Sequence, residues 1–290
     1  METSELLKKV RKIEIKTKGL SRHIFSGEYH SAFRGRGMSF SEVREYTYGD
    51  DVRNIDWNVT ARTGHPHIKV FEEERELTVF LLIDVSGSSA YGSKTGLKNA
   101  MMTEIAAVLA FSAITNNDKV GALLFSDQIE KYLPPAKGKK NILRIIREMI
   151  NIQPESKSTD IGKALEFLNS VQKKRSIVFL LSDFRSPSFE TALMIASRRH
   201  DIIGLNIYDE NERKIPDVGL VRMMDPESGE ISIIDTSSTA VQNALRMQFE
   251  KLHREFSEQF KKNGCDTLSI NTSEDYIKNL LQFFKSRGKR

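Results

Sequence analysis

The chain has 290 residues, of which 39% are hydrophobic and 29% charged, with a net charge of +5; at about 150 residues per domain this allows one large globular domain or one domain with an appendage. A single cysteine, Cys265, excludes an internal disulfide framework and fits a reducing cytoplasm. No apolar run reaches the roughly 18 to 20 residues that span a bilayer, and the opening METSELLKKV has no signal-peptide core, so the expectation is a cytoplasmic protein without a membrane span.

The positive charge is concentrated at the start, where Met1 to Phe40 holds nine Lys or Arg against four Glu. Residues 5 to 18 have the spacing of a basic helix with Leu6, Leu7, Val10 and Ile13 on one side. An anionic partner such as RNA would suit its basic face, but no aromatic residues are interleaved for base stacking, so a docked helix with a solvated face is the expectation. Residues 33 to 76 lack clear periodicity. Gly35, Gly37, Gly49 and Gly64 mark turns, and Arg34, Arg36, Arg44, Arg53 and Arg62 alternate with Glu42, Glu45, Asp50, Asp51 and Asp56 around Trp57, the only tryptophan. Such a mixture satisfies itself through bidentate arginine–carboxylate pairs, which predicts a structured collar over 33–76; with the basic helix it makes up an N-terminal part over 1–76 ahead of a main domain over 77–290. The pair Asp50–Asp51 is therefore read as arginine-bound rather than metal-binding, and His65-x-His67, a zinc pair by spacing, has no further ligand in view.

From Thr78 the chain alternates strands and helices. Val79 to Ile83 is an unbroken apolar run, the signature of a central strand covered on both faces. Leu97 to Ser112 has helical spacing and stops at Asn116 and Asn117; residues 119–127 form a second buried strand, and Gln128 to Leu133 a short edge strand before Pro134 and Pro135. Asn141 is positioned to cap a helix carrying Ile142, Ile145, Ile146 and Met149. Ser158, Thr159 and Asp160 precede another helix, and residues 176–184, SIVFLLSDF, repeat the character of the first strand. A helix over 189–199 and a strand over 201–208 follow. Beyond Asp209 the pattern loosens into a hairpin over 223–235, a long amphipathic helix from Val241 to Phe260, an edge strand over 267–271 and a last helix over 276–284. This order predicts an α/β fold with a doubly wound, mostly parallel sheet of Rossmann type and an N-terminal extension.

The chemistry lies where strands end. Asp84, Ser86 and Ser88 fall just past the carboxyl end of the first buried strand, where open α/β sheets bind ligands, and their hard oxygens suit Mg²⁺ or Mn²⁺. In a doubly wound sheet the strand ending at Asp183 lies beside that strand, and the loop carrying Thr159 arrives at the same edge. Alone, Asp-x-Ser-x-Ser is turn or capping chemistry and Thr159 a helix cap; the three elements together make the metal reading. Enzymatic alternatives fit less well. Between Gly87 and Thr95, Ser93 separates glycine from lysine, so the phosphate-loop pattern fails by one residue and its lysine would be turned by roughly 100°. No nucleophile elbow surrounds Ser86 or Ser88. A Mg²⁺- or Mn²⁺-dependent phosphoester hydrolase lacks a general base, which leaves a binding protein as the preferred class over an enzyme.

A family resemblance rests on specific stretches: RGRGMSFSEVREYTYGDDVRNIDWNVTARTG, followed by KVFEEERELTVFLLIDVSGSS. Over residues 33 to 90 the chain closely resembles the bacterial family called domain of unknown function 58. That resemblance implies a von Willebrand factor A-like domain and a working relationship with a MoxR-type AAA+ ATPase, beside which such proteins are commonly encoded. Asp84, Ser86, Ser88, Thr159 and Asp183 match, residue by residue, the metal-ion-dependent adhesion site of von Willebrand factor A domains. In those domains serine and threonine hydroxyls bind the cation and the aspartates act directly or through water. Neutral hydroxyls leave the cation's charge incompletely compensated, so a partner protein's acidic side chain is expected to complete it, with an adaptor role in protein or complex maturation as the implied function.

Overall fold

The computed structural model describes residues 39–72, 77–87, 98–224 and 231–287. The basic helix expected over 5–18 lies outside them. The chain divides into two compact units, Phe33–Leu77 and the part from Thr78 onward.

The smaller unit is built on two antiparallel strands, β1 (Ser39–Glu45) and β2 (His67–Glu72), linked through a 3-10 turn at Val52–Asn54 and helix α1 (Trp57–Thr63). Asp56 starts α1 by accepting the backbone N–H groups of Asn58 and Val59, and Gly64 closes it in the left-handed conformation that glycine adopts without a Cβ clash. Two of the expected arginine–carboxylate pairs are present, while Asp56 pairs with Lys69. Asp50 accepts both guanidinium nitrogens of Arg44 at 2.8 Å, and Asp51 accepts from Arg53. Trp57 is 70% exposed and is not the core of this unit.

The larger unit contains a six-stranded sheet. Its elements are β3 (Thr78–Asp84), α2 (Lys98–Thr115), β4 (Lys119–Phe125), β5 (Ile129–Ala136), α3 (Lys139–Asn151), α4 (Ile161–Val171), β6 (Ile177–Ser182), α5 (Glu190–Arg199), β7 (Asp201–Tyr208), α6 (Glu210–Arg213), β8 (Leu220–Met224), β9 (Ile231–Asp235), α7 (Thr239–Lys262), β10 (Asp266–Asn271) and α8 (Tyr276–Arg287). The strand order is β10-β7-β6-β3-β4-β5, parallel throughout except for β5. This is the mostly parallel α/β architecture predicted, and β3 lies in its interior between β6 and β4.

Both faces are covered, which is why β3 shows no alternation. Phe80 and Leu82 face a cluster with Leu165 and Leu168 of α4, Leu193 of α5 and Phe256 and Phe260 of α7. The alternate residues face the other way; there Phe179 meets Phe284 of α8 edge to face at 6.2 Å, and the Tyr276 hydroxyl of α8 reaches Glu104 of α2. Gly204 of β7 permits α7 to close on the sheet, because a Cβ there would sit 2.6 Å from a ring carbon of Phe260.

Four local expectations are corrected. Strand β5 continues through Pro134 and Pro135 to Ala136; it is an edge strand, and the prolines fall at a register shift between Val120 and Ala122 where no ladder donor is needed. Helix α3 begins at Lys139 after Gly138, not after Asn141, whose carboxamide instead donates to the carbonyls of Val120 and Ala136. The loosened stretch after Asp209 contains α6, closed by a capping box in which Asp209 and Glu212 satisfy each other's backbone. The hairpin also begins earlier than expected, at Leu220.

Candidate functional site

The carboxyl end of β3 delivers Asp84, which is 1% exposed. The Asp84 Oδ1 accepts the Ser86 N–H at 3.0 Å; its Oδ2 accepts the Ser182 hydroxyl at 2.6 Å and faces the Thr159 hydroxyl at 3.5 Å. Burial, and then the charge of Asp183, push this carboxyl up to about 6, against the hydrogen bonds from Ser182 and Ser86. Among the described residues no lysine or arginine pairs with it.

Local backbone chemistry brings the other groups to this edge. Gly87 N–H donates to the Lys157 carbonyl and Asp160 N–H to the Ser126 carbonyl, tying the loop before α4 to the ends of β3 and β4. Asp160, not Thr159, caps α4 by accepting the Lys163 N–H, which leaves the Thr159 side chain directed at Asp84. At the end of β6 the chain turns sharply. Phe184 adopts a left-handed φ of 58°, uncommon for a residue with a side chain. That turn sends the Phe184 ring into the aromatic cluster of α7, with Phe256 at 4.1 Å between centroids, while Asp183 stays at the sheet edge. Local strain of this kind costs on the order of 1 kcal/mol, which burial of a phenyl ring offsets.

The structure therefore brings Asp84, Ser86 and Thr159 together, with Asp183 close enough to act on Asp84 electrostatically. Ser88 lies outside the described residues. Three contributors have no local signal in the sequence. Ser182 anchors Asp84 while its hydroxyl oxygen accepts the Phe184 N–H at 2.9 Å. Lys98, at the start of α2, is 1% exposed and places its ammonium 2.9 Å from Asp183 Oδ2 and 2.7 Å from Glu212 Oε1. Glu212, on α6, also accepts Arg185 at 2.8 Å. Burial alone would raise Asp183, but the charges of Lys98 and Arg185 outweigh it and hold the carboxyl below its ordinary range. Burial likewise works against the Lys98 ammonium, and Asp183 and Glu212 overcome it.

Among the described residues no three His, Cys, Asp or Glu side chains converge as metal ligands. At the edge of β3 the donors are mainly hydroxyls. The fit to a hard divalent cation rests on Asp84: a buried carboxylate without a cationic partner among the described residues, surrounded by small oxygen donors.

The sequence profile of the family described as protein of unknown function DUF58 matches residues 42–259. The chain belongs to that family. Relatives of this DUF58 chain include the uncharacterized proteins Rv1480 of Mycobacterium tuberculosis (strain ATCC 25618 / H37Rv) and Mb1516 of Mycobacterium bovis. Each is 27% identical over 294 residues, covering 99% of this chain and 91% of the relative. Similar solved structures include the conserved hypothetical protein BatB from Bacteroides thetaiotaomicron, at 15% identity and a TM-score of 0.46, covering 74% of this chain and all of the other. The SpRpn10 VWA domain is similar at 13% identity and a TM-score of 0.39, covering 72% of this chain and 95% of the other. Proximal thread matrix protein 1 from the mussel byssus, described with a zinc-occupied MIDAS motif, is 16% identical with a TM-score of 0.44 and covers 73% of this chain and 48% of its own. Among the described residues of the DUF58 chain, no helix is long and apolar enough to cross a membrane.

Proposed function

We propose that this protein is a metal-dependent protein-interaction module in which Asp84, Ser86, Thr159 and Asp183, joined by Ser88, would hold Mg²⁺ or Mn²⁺. The observation that carries the reading is the Asp84 carboxyl, buried at the end of the central strand among the hydroxyls of Thr159 and Ser182. An ion bound there supplies a Lewis-acidic point for an oxygen ligand from outside. Of the two aspartates, Asp183 already shares its charge with Lys98, so the chain itself offers the ion little negative charge and leaves room for an acidic side chain of a partner. The family resemblance names the partner class, a MoxR-type AAA+ ATPase, and an adaptor role in protein or complex maturation; the lone cysteine favours the cytoplasm as its setting.

Calorimetric titration of the full chain with Mg²⁺ and Mn²⁺ tests the reading. Binding by the native protein that disappears in Asp84→Asn is the expected result; equal binding by both would overturn it. Association with a purified MoxR-type ATPase, measured by sedimentation with Mg²⁺ and again with EDTA, tests the partner, and association indifferent to chelation would separate that partner from the ion.

A further inference from the structure

Five charged side chains meet at the edge of β3 and β6, and their sharing is uneven. Asp84 is held by hydroxyls and backbone, whereas Asp183 is held by an ammonium. That ammonium is itself shared: Glu212 takes it at 2.7 Å, slightly closer than Asp183 at 2.9 Å, and Glu212 is in turn held by Arg185. Lys98 and Asp183 are 85 residues apart in sequence, so the pair exists only because α2 packs beside the end of β6. A lysine with 1% of its side chain exposed is a strong commitment for a group that normally stays hydrated, and it is stable here because two carboxylates face it.

We propose that Lys98 is a tethered cation that competes with the divalent ion for Asp183, and that Glu212 is the carboxylate to which its ammonium shifts when the ion is bound. The proposal rests on the metal reading above and adds its regulation. An ammonium beside the ion's own ligand repels the ion and occupies one of its oxygens, so Lys98 lowers the affinity of the unassisted site. Glu212 opposes this by drawing the ammonium away. The consequence is a site in which the chain's own charge is insufficient for tight binding and an incoming acidic side chain makes up the difference. Because Glu212 sits on the short helix α6, ahead of the β8–β9 hairpin, loading of the ion is linked to where that helix holds its carboxylate.

Removing Lys98 alone would leave buried carboxylates facing each other, so the informative variant is the charge-balanced pair Lys98→Met/Glu212→Gln. Mn²⁺ is titrated calorimetrically into wild type, Lys98→Met/Glu212→Gln, Glu212→Gln and Asp84→Asn, with circular dichroism in EDTA as the check on folding. The double variant is expected to bind Mn²⁺ about tenfold more tightly than wild type, or to bind where wild type shows nothing measurable. Glu212→Gln alone, which leaves the ammonium entirely on Asp183, is expected to bind several-fold more weakly. A structural role in which Lys98 merely orients Asp183 predicts the opposite sign for the double variant. Binding by the double variant equal to or weaker than wild type, with Asp84→Asn silent, overturns the role of Lys98 and leaves the metal reading standing; so does Glu212→Gln binding unchanged or tighter. No Mn²⁺ binding by any of the first three proteins overturns the metal reading itself and this proposal with it.

Discussion

Replacing Asp84 by asparagine should make the metal-free protein more stable at neutral pH. In the fold, burial and the nearby Asp183 charge raise the Asp84 carboxyl from its ordinary 3.8 to about 6. An acid whose value is raised by folding binds its proton more tightly in the folded state than in the unfolded chain. Its contribution is therefore full below 3.8 and is lost as pH rises through about 6. At pH 7.5 both states are ionised, and the gap between 3.8 and about 6 is a penalty of about 3 kcal/mol on the folded protein. An asparagine carries no charge, keeps an acceptor for the Ser86 N–H and presents an amide to the Ser182 hydroxyl, so most of that penalty disappears without loss of shape. In EDTA at pH 7.5 the variant is expected to unfold at higher urea, with a midpoint temperature raised by roughly 5 to 10 °C. Below pH 4 the two proteins should converge, and comparing them removes the titrations they share. Saturating Mg²⁺ should then stabilise wild type alone, by about 2.7 kcal/mol at a hundredfold excess over the dissociation constant. An Asp84→Asn protein no more stable than wild type at pH 7.5 in chelator would refute the argument that this carboxylate is electrostatically uncompensated.

Two further outcomes follow from burial elsewhere in the sheet. His200 is 2% exposed, and among the described residues neither ring nitrogen has a hydrogen-bond partner; burial, aided by Arg199 and Arg175, pushes it down to about 4. The unfolded chain then takes up the proton first, so this group's contribution is intact above 6.5 and lost as pH falls through about 4, and His200→Leu should retain up to about 3 kcal/mol more of its neutral-pH stability at pH 4 in urea titrations. Equal acid sensitivity of the two proteins would argue against a buried neutral imidazole. Gly204→Val drives a side chain into Phe260 and Phe256 and should cost about 1 to 3 kcal/mol in urea unfolding, moving α7 off the sheet; an unchanged midpoint would show that the helix can yield.

The hydroxyl chemistry around Asp84 shows where a sequence stops being informative. Val79 to Ile83 is legible as a doubly covered strand because an unalternating apolar run admits few other homes, and Asp183 is legible as its counterpart because residues 176–184 repeat the same character. Thr159 by itself reads as one of three adjacent residues able to cap α4, and only its company with Asp84 and Asp183 marks it as a site residue; the fold uses Asp160 for the cap, and that choice leaves Thr159 directed at Asp84. The prolines of β5 look like a strand end until the edge position and the register shift remove the need for their missing donors.

By itself the sequence determined the alternation of elements, the mostly parallel α/β class, the paired arginines and aspartates around Asp50 and Asp51, and the aspartates that end two buried strands. These are local matters: period, strand length and turn chemistry act over a few residues and leave their mark in order. Only the tertiary structure decided that Ser182 anchors Asp84, that Phe184 takes a left-handed turn to reach α7, and that Lys98 stands between Asp183 and Glu212. Those depend on which strand lies beside which and on how α2 and α6 meet the end of β6, where charges far apart in the chain share one water-poor volume and must be balanced there.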